Sequence, residues 1–310
     1  MNCAVRVSQD LTSIESLKKQ YPKCFEGLGK FPDTCTLILN EDAHPVIHPP
    51  RRPPIQLRER IKQELERMTE LEVIKPVEEP SDWVSSIADV TKANGSLRIC
   101  IDLRDLNKAL KRGQHYIPTV EEIRHKFAGA KFFSKLDTKS GYWSVPLDSK
   151  SQLLTTFNTP FGRYCFRRLP FGLRVSQDVF QAAMDKILQG LDGVISIADD
   201  ISVVGHDEKE HDKNLHALFK CAQERGMVFN AEKCQIKTPE IMFFGNIYTK
   251  DGIRPDPAKI QAISDMSSPT SRSQLQSFLG LITYLSSYIP KLSEHTAALR
   301  KLLHKDSIFK

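Results

Sequence analysis

Apolar and polar positions alternate along this chain in two periods, and the changes of period mark out its elements. Leu57, Ile61, Leu65 and Met68 recur at helical spacing with charged residues between them, which predicts a helix that Val73-Ile74-Lys75-Pro76 ends. Two short strands follow, over 86–91 and 96–102. They are joined by Ala93-Asn94-Gly95, where Asn and Gly tolerate the positive φ of a hairpin turn. The segment 119–127 reads as a helix ending before Gly129, and strands are expected over 132–137 and at Leu154-Thr155-Thr156-Phe157. A helix over 176–189 puts Val179, Phe180, Ala183, Met184, Ile187 and Leu188 on one face, with Ser176 as its cap. A helix over 207–225 and strands near 227–229 and 241–248 complete an α+β unit. From Pro255 onward the pattern is helical, with Ser271 and Gln274 as a capping box and Leu275, Phe278, Leu279, Ile282 and Leu285 as the apolar stripe. Residues 1–48 show little periodicity and close on His48-Pro49-Pro50-Arg51-Arg52-Pro53-Pro54, whose prolines fix φ and remove donors. The expected division is an N-terminal extension or linker over 1–48, an α+β body over 49–254 and a smaller helical part over 255–310.

One run departs from a simple strand pattern. In Val194-Ile195-Ser196-Ile197-Ala198-Asp199-Asp200-Ile201-Ser202-Val203-Val204-Gly205 two acids interrupt an apolar hairpin. Adjacent carboxylates repel and are costly to desolvate, so the pair points to a bound cation. Hard divalent ions such as Mg²⁺ prefer carboxylate oxygens. A third acid, Asp137, ends the strand after Phe132-Phe133-Ser134, 62 positions before Asp199, so only a sheet can join them. Neighbouring strands lie about 4.8 Å apart, close enough for carboxylates to share two cations in phosphoryl transfer. Because successive strand residues face opposite ways, Asp199 is expected to ligate beside Asp137, with Asp200 assisting or peripheral.

Composition sets limits. At 310 residues the chain can bury a large core, and its 40% hydrophobic content is ordinary for a globular protein. No apolar stretch approaches the roughly 20 residues of a membrane span, and no signal core opens the chain, so no membrane partner and an intracellular site are expected. Seven cysteines without CxxC pairs read as reduced thiols. His206, His211 and His216, at spacing five, read as surface residues. The net charge of +6 is modest, but its distribution is not even. Between Thr91 and Lys126 eight bases stand against four acids, Arg163, Arg167 and Arg168 share one loop, and the last twenty residues hold five bases and two acids. Basic zones flanking an acidic centre suit a polyanion threaded past a metal site.

The motifs then point to a family. Gly95-Ser96-Leu97-Arg98-Ile99-Cys100-Ile101-Asp102, Leu136-Asp137-Thr138-Lys139-Ser140-Gly141-Tyr142-Trp143, Arg168-Leu169-Pro170-Phe171-Gly172-Leu173, Phe229-Asn230-Ala231-Glu232-Lys233-Cys234, Phe243-Phe244-Gly245 and Phe278-Leu279-Gly280-Leu281 occur in that order. Over about 45–305 the chain resembles the reverse transcriptase of gypsy-type long-terminal-repeat retrotransposons. The resemblance implies an α+β right-hand polymerase, with fingers and palm over 49–254, an antiparallel palm sheet, and a helical thumb with the start of a connection over 255–310. It implies an RNA-directed DNA polymerase that joins dNTPs to a primer 3′-hydroxyl on an RNA or DNA template, using two Mg²⁺ ions for which Mn²⁺ can substitute. Asp137, Asp199 and Asp200 match the metal-binding aspartates. Lys92 and Arg98 match positions holding the triphosphate, chemistry that a forked guanidinium and a point charge suit on their own. Tyr142 matches the aromatic that excludes a 2′-hydroxyl, Phe171 and Gly172 the loop beneath the templating base, and Phe244 and Gly245 the primer contact.

Two departures stand against this pattern. Ile197 occupies a position that is usually tyrosine, which bears on primer positioning, and Val175-Ser176-Gln177 replaces a small pair followed by proline. No Asp-Thr/Ser-Gly triplet and no zinc-knuckle or His/Cys integrase spacing is present, so a fragment of an element, or a gene derived from one, is expected. The competing readings are a nucleic-acid-binding remnant without processive synthesis, favoured by Ile197, and an RNA-templated RNA polymerase, disfavoured by Tyr142 and the Leu-Pro-Phe-Gly block.

Overall fold

The computed structural model describes residues 13–91, 97–304 and 307. Its helices are α1 (Ile14–Gln20), α2 (Ile55–Glu70), α3 (Arg104–Ala109), α4 (Val120–Arg124), α5 (Ser149–Leu154), α6 (Ser176–Leu188), α7 (Glu208–Arg225), α8 (Pro257–Ser264), α9 (Arg272–Tyr284) and α10 (Leu292–Lys301). The strands are β1 (Ile74–Pro76), β2 (Ser85–Thr91), β3 (Leu97–Ile101), β4 (Phe132–Asp137), β5 (Phe157–Thr159), β6 (Gly162–Phe166), β7 (Val194–Ile197), β8 (Asp200–Gly205), β9 (Gln235–Thr238), β10 (Glu240–Phe243), β11 (Asn246–Thr249) and β12 (Gly252–Pro255).

Three sheets organise them. The central one has the order β7-β8-β4-β9 and is antiparallel throughout. A five-stranded sheet, β1-β6-β5-β2-β3, is antiparallel except where β2 runs parallel to β5. The third is the meander β10-β11-β12. Helices α6 and α7 pack against the central sheet, where Phe180, Met184, Leu215, Leu218 and Phe219 join Leu136, Ile201 and Val203 in the main core. A second core gathers Ile123, Phe127, Phe133, Ile195, Ile197, Phe243 and Tyr248 between that sheet and the meander.

Several expectations change. Residues 13–48 are not a bare linker: Leu17, Tyr21, Cys24, Phe31 and Leu37 are buried in the main core. Their burial carries no period, so no pattern announced it. The strand expected at 154–157 begins only at Phe157, because Asp148 caps α5 and Thr155 and Thr156 turn their hydroxyls back onto Gln152 and Leu153 carbonyls. The single strand expected over 241–248 is the hairpin β10–β11, turning at Phe244-Gly245. Residues 227–229 form only an isolated bridge, Thr138 to Phe229. Val175, not Ser176, holds the cap position of α6, and the Ser176 hydroxyl donates to the Pro170 carbonyl at 2.8 Å. No helix among the described residues is long and apolar enough to cross a membrane.

Candidate active site

The site is built on the tip of the β7–β8 hairpin. Ile195 and Ile197 alternate into the second core, which fixes the hairpin's face. Ile197 pairs with Asp200 across a turn of two residues, Ala198 and Asp199, and Ala198 takes a left-handed φ of 50°. Strand β4 pairs antiparallel with β8 so that Asp137 lies directly opposite Asp200. The Thr138 N–H, one residue on, donates to the Asp199 carbonyl at 3.3 Å. Folding thus brings all three acids to the end of one sheet.

They are not alike once there. Asp200 pairs with Lys135 at 3.1 Å, and Asp137 with Lys233 at 3.3 Å. Asp199 has neither. Its Oδ1 is buried without a hydrogen-bond partner among the described residues. Burial first, then the charges of Asp137 and Asp200, push its carboxyl above the ordinary range, against a smaller opposing pull from Lys233. Next to it lies Gly141, where an added Cβ would stand 2.6 Å from that same oxygen and 2.9 Å from Phe180 Cζ. The sequence leaves this space by placing glycine there.

An orphaned carboxylate oxygen beside two further acids has the donor chemistry of a hard-cation site. Lysines pair with Asp137 and Asp200, and no group of three or more His, Cys, Asp or Glu that could hold a metal ion is gathered among the described residues. The lysines supply the positive charge that the acids otherwise lack. Neither was expected from sequence. Lys135 sits two residues before Asp137 and diagonal to Asp200 across the β4–β8 pair, a relation that appears only once register is known. Lys233 arrives because the Asn230 N–H donates to the Asp137 carbonyl at 2.9 Å and draws its loop to the strand end.

The remaining candidates fall into two groups. Tyr142 and Phe171 come together with ring centroids 5.0 Å apart, and Tyr142 also meets Phe180 edge-on at 5.4 Å. Burial first and then the Asp199 charge raise the Tyr142 phenol above its ordinary range. Gly172, at φ +94°, needs glycine's freedom, and its carbonyl accepts from Asn107 at 2.9 Å. Phe244 and Gly245 lie on a different sheet, as the two left-handed residues of the β10–β11 turn. At Gly245 an added Cβ would meet the ends of the Lys259 and Tyr284 side chains, and its φ of +70° favours glycine. Lys92 and the Ala93-Asn94-Gly95 turn lie outside the described residues, and the backbone of Arg98 sits opposite Val90 on the β2–β3 pair.

His211 corrects a surface reading. It is fully buried, its Nε2 lies 2.9 Å from Ser134 Oγ on β4, and its Nδ1 lies 3.1 Å from Asp212.

Residues 90–278 match the family model of the reverse transcriptase (RNA-dependent DNA polymerase). The chain belongs to the reverse transcriptase family. An uncharacterized Caenorhabditis elegans protein is 36% identical over 87% of this chain, which spans 22% of that protein. The Pol polyprotein of the Drosophila melanogaster transposon gypsy is 31% identical over 74% of the chain, which spans 23% of it. The chain therefore corresponds to about a quarter of the length of these relatives. Among solved structures, the foamy viral protease-reverse transcriptase in complex with double-stranded DNA superposes with a TM-score of 0.82 at 24% identity, over 93% of this chain and 51% of that one. The same viral protein with an RNA/DNA hybrid gives 0.78 at 23%, over 94% and 40%. The fold is the right-hand polymerase fold.

Proposed function

We propose that this reverse transcriptase domain extends a primer 3′-hydroxyl with dNTPs along an RNA or DNA template. The observation that carries the reading is the buried, partnerless Asp199 oxygen placed beside Asp137 and Asp200. Asp137 and Asp199 would hold two Mg²⁺ ions, with Asp200 assisting from its pair with Lys135. Bound there, the ions would supply charge neutralisation for the attacking oxygen and the leaving pyrophosphate. The chain's own residues do the rest. Tyr142, wedged against Phe171 and Phe180, would set the floor under the sugar and exclude a 2′-hydroxyl. Arg98, with Lys92, would fork onto the triphosphate. Phe171 and Gly172 would underlie the templating base, and the Phe244-Gly245 turn, backed by Lys259 and Tyr284, would press on the primer strand. Fingers and palm would occupy 49–254, and the thumb with the start of a connection 255–310. The related foamy viral enzyme in complexes with double-stranded DNA and RNA/DNA hybrid supports a template–primer duplex as the ligand.

A second reading has one observation in its favour. Ile197 is buried in the apolar core at 2% exposure, so it offers nothing to a primer end, and a non-catalytic nucleic-acid-binding domain would tolerate that. Primer extension on an RNA template with Mg²⁺ and dNTPs, beside Asp199→Asn, separates the two. Extension that the substitution abolishes supports synthesis. No extension by either protein, with salt-sensitive duplex binding intact, supports the binding domain.

A further inference from the structure

The geometry points to Gln181 as the positioning residue that sets the Asp199 carboxylate, acting through the backbone of Ala198. This inference rests on the proposed use of Asp199 as a cation ligand. Gln181 lies on α6, facing the hairpin, and is 0% exposed. Its Oε1 accepts the Ala198 N–H at 2.7 Å, and its Nε2 reaches the Ser196 carbonyl at 3.4 Å. One side chain therefore grips the hairpin on both sides of Ile197, immediately before the acid.

The grip matters because of what Ala198 is asked to do. A non-glycine residue at φ 50° is in a strained region and stays there only if its surroundings hold it. The acceptor that holds its N–H is Gln181 Oε1. Were that peptide to relax, the Asp199 side chain would swing away from the space beside Gly141. The amide is itself prevented from flipping, since Nε2 also donates to Asp185 Oδ1 at 2.8 Å, and a carboxylate can only accept. Asp185 is steadied in turn by His115, 2.7 Å from its other oxygen. A chain of contacts thus runs from the surface at His115 through Asp185 and Gln181 to the turn carrying Asp199. A buried glutamine in a helix facing a core would otherwise be an awkward choice, because an unpaired amide is costly there.

The test uses the full 310-residue chain. Gln181→Met keeps length and burial while removing every hydrogen bond, and Asp185→Ala, at an exposed position, frees the amide to rotate. Mn²⁺ affinity without nucleotide, kcat and KM for dNTP in primer extension, and the thermal midpoint are measured for each. For Gln181→Met the expected loss is about 10–100-fold in Mn²⁺ affinity and in kcat, with KM for dNTP little changed. Asp185→Ala should move both in the same direction by less. Adding Ala198→Gly to Gln181→Met should recover part of the loss, since glycine takes left-handed φ without strain. Packing alone would not give that recovery. Unchanged Mn²⁺ affinity in Gln181→Met overturns the inference, as does a loss that tracks the thermal midpoint and ignores Ala198→Gly. If the wild type extends no primer yet binds Mn²⁺, the synthesis reading fails while the Mn²⁺ comparison still decides the role of Gln181. A wild type that binds no Mn²⁺ overturns both.

Discussion

Asp199 is a residue whose folded environment opposes its own charge. Its carboxyl is raised by burial and by two neighbouring acids, so in the absence of cations the ionised form weakens the fold at neutral pH. Asp199→Asn should therefore raise the thermal midpoint in chelator, by roughly 1–3 °C for a chain of this size, while abolishing primer extension. Differential scanning calorimetry in EDTA and one extension assay check both halves. His211 works the other way. Burial first, together with the Lys237 charge, holds its imidazole below the ordinary value of 6.5, while Asp212 and Glu208 pull it upward and lose. The unfolded chain thus binds the proton more readily. The stability of the neutral, buried ring is fully present above pH 6.5 and is lost as pH falls through the folded value. Midpoints measured from pH 8 to pH 5 should be flat at first and then decline. Replacing His211 with Gln should flatten that decline. At this scale the acids were legible from sequence because charge inside an apolar run is a local signal. His211 was not, since a spacing of five hides which face of α7 packs on β4.

Among the elements, the β4–β8 pairing and the turn of Gly141–Ser144 make the site. Gly141 leaves the space that the Asp199 carboxylate fills, so Gly141→Ala should force 2.6 and 2.9 Å contacts apart. The expected cost is about 1–3 kcal/mol of stability together with a lower kcat, read from chemical denaturation and steady-state kinetics. Strand periodicity foretold β4, β7 and β8, and helical periodicity foretold α2, α6, α7 and α9. The failures have a common cause. Over 241–248 the apolar residues on both sides of Gly245-Asn246 concealed a turn, because it is centred one residue early, on Phe244, which adopts a left-handed φ that aromatic residues rarely take. At 154–157 the β-branched threonines suggested a strand, but their hydroxyls bond back to the preceding helix. Lys135 and Lys233 reach the acids by cross-strand register and by a returning loop, neither of which a linear pattern carries.

For the whole molecule, the question is how the C-terminal helices are held on the sheets. Arg124 at the end of α4 donates to Ser287 Oγ at 2.9 Å, and its guanidinium lies 5.7 Å from the Tyr288 ring centre. Tyr288 in turn donates to Asn246 on β11. Arg124→Ala should loosen this latch at a cost of about 1 kcal/mol, and limited proteolysis should then cut between 255 and 270 several-fold faster than in the wild type. The order of motifs identified the family, and with it the right-hand architecture, which no single element discloses. The packing of residues 13–48 into the core escaped detection, since long-range burial without a period leaves no trace in sequence. The central claim is that Asp137 and Asp199 share divalent cations at the end of the central sheet. Anomalous scattering from crystals grown with Mn²⁺, a primer–template duplex and a non-hydrolysable dNTP tests it most directly. Manganese peaks bridging the two carboxylates, with Lys233 displaced from Asp137, are the expected result. Peaks elsewhere or none at all, with the Lys135–Asp200 and Lys233–Asp137 pairs unbroken, would contradict it.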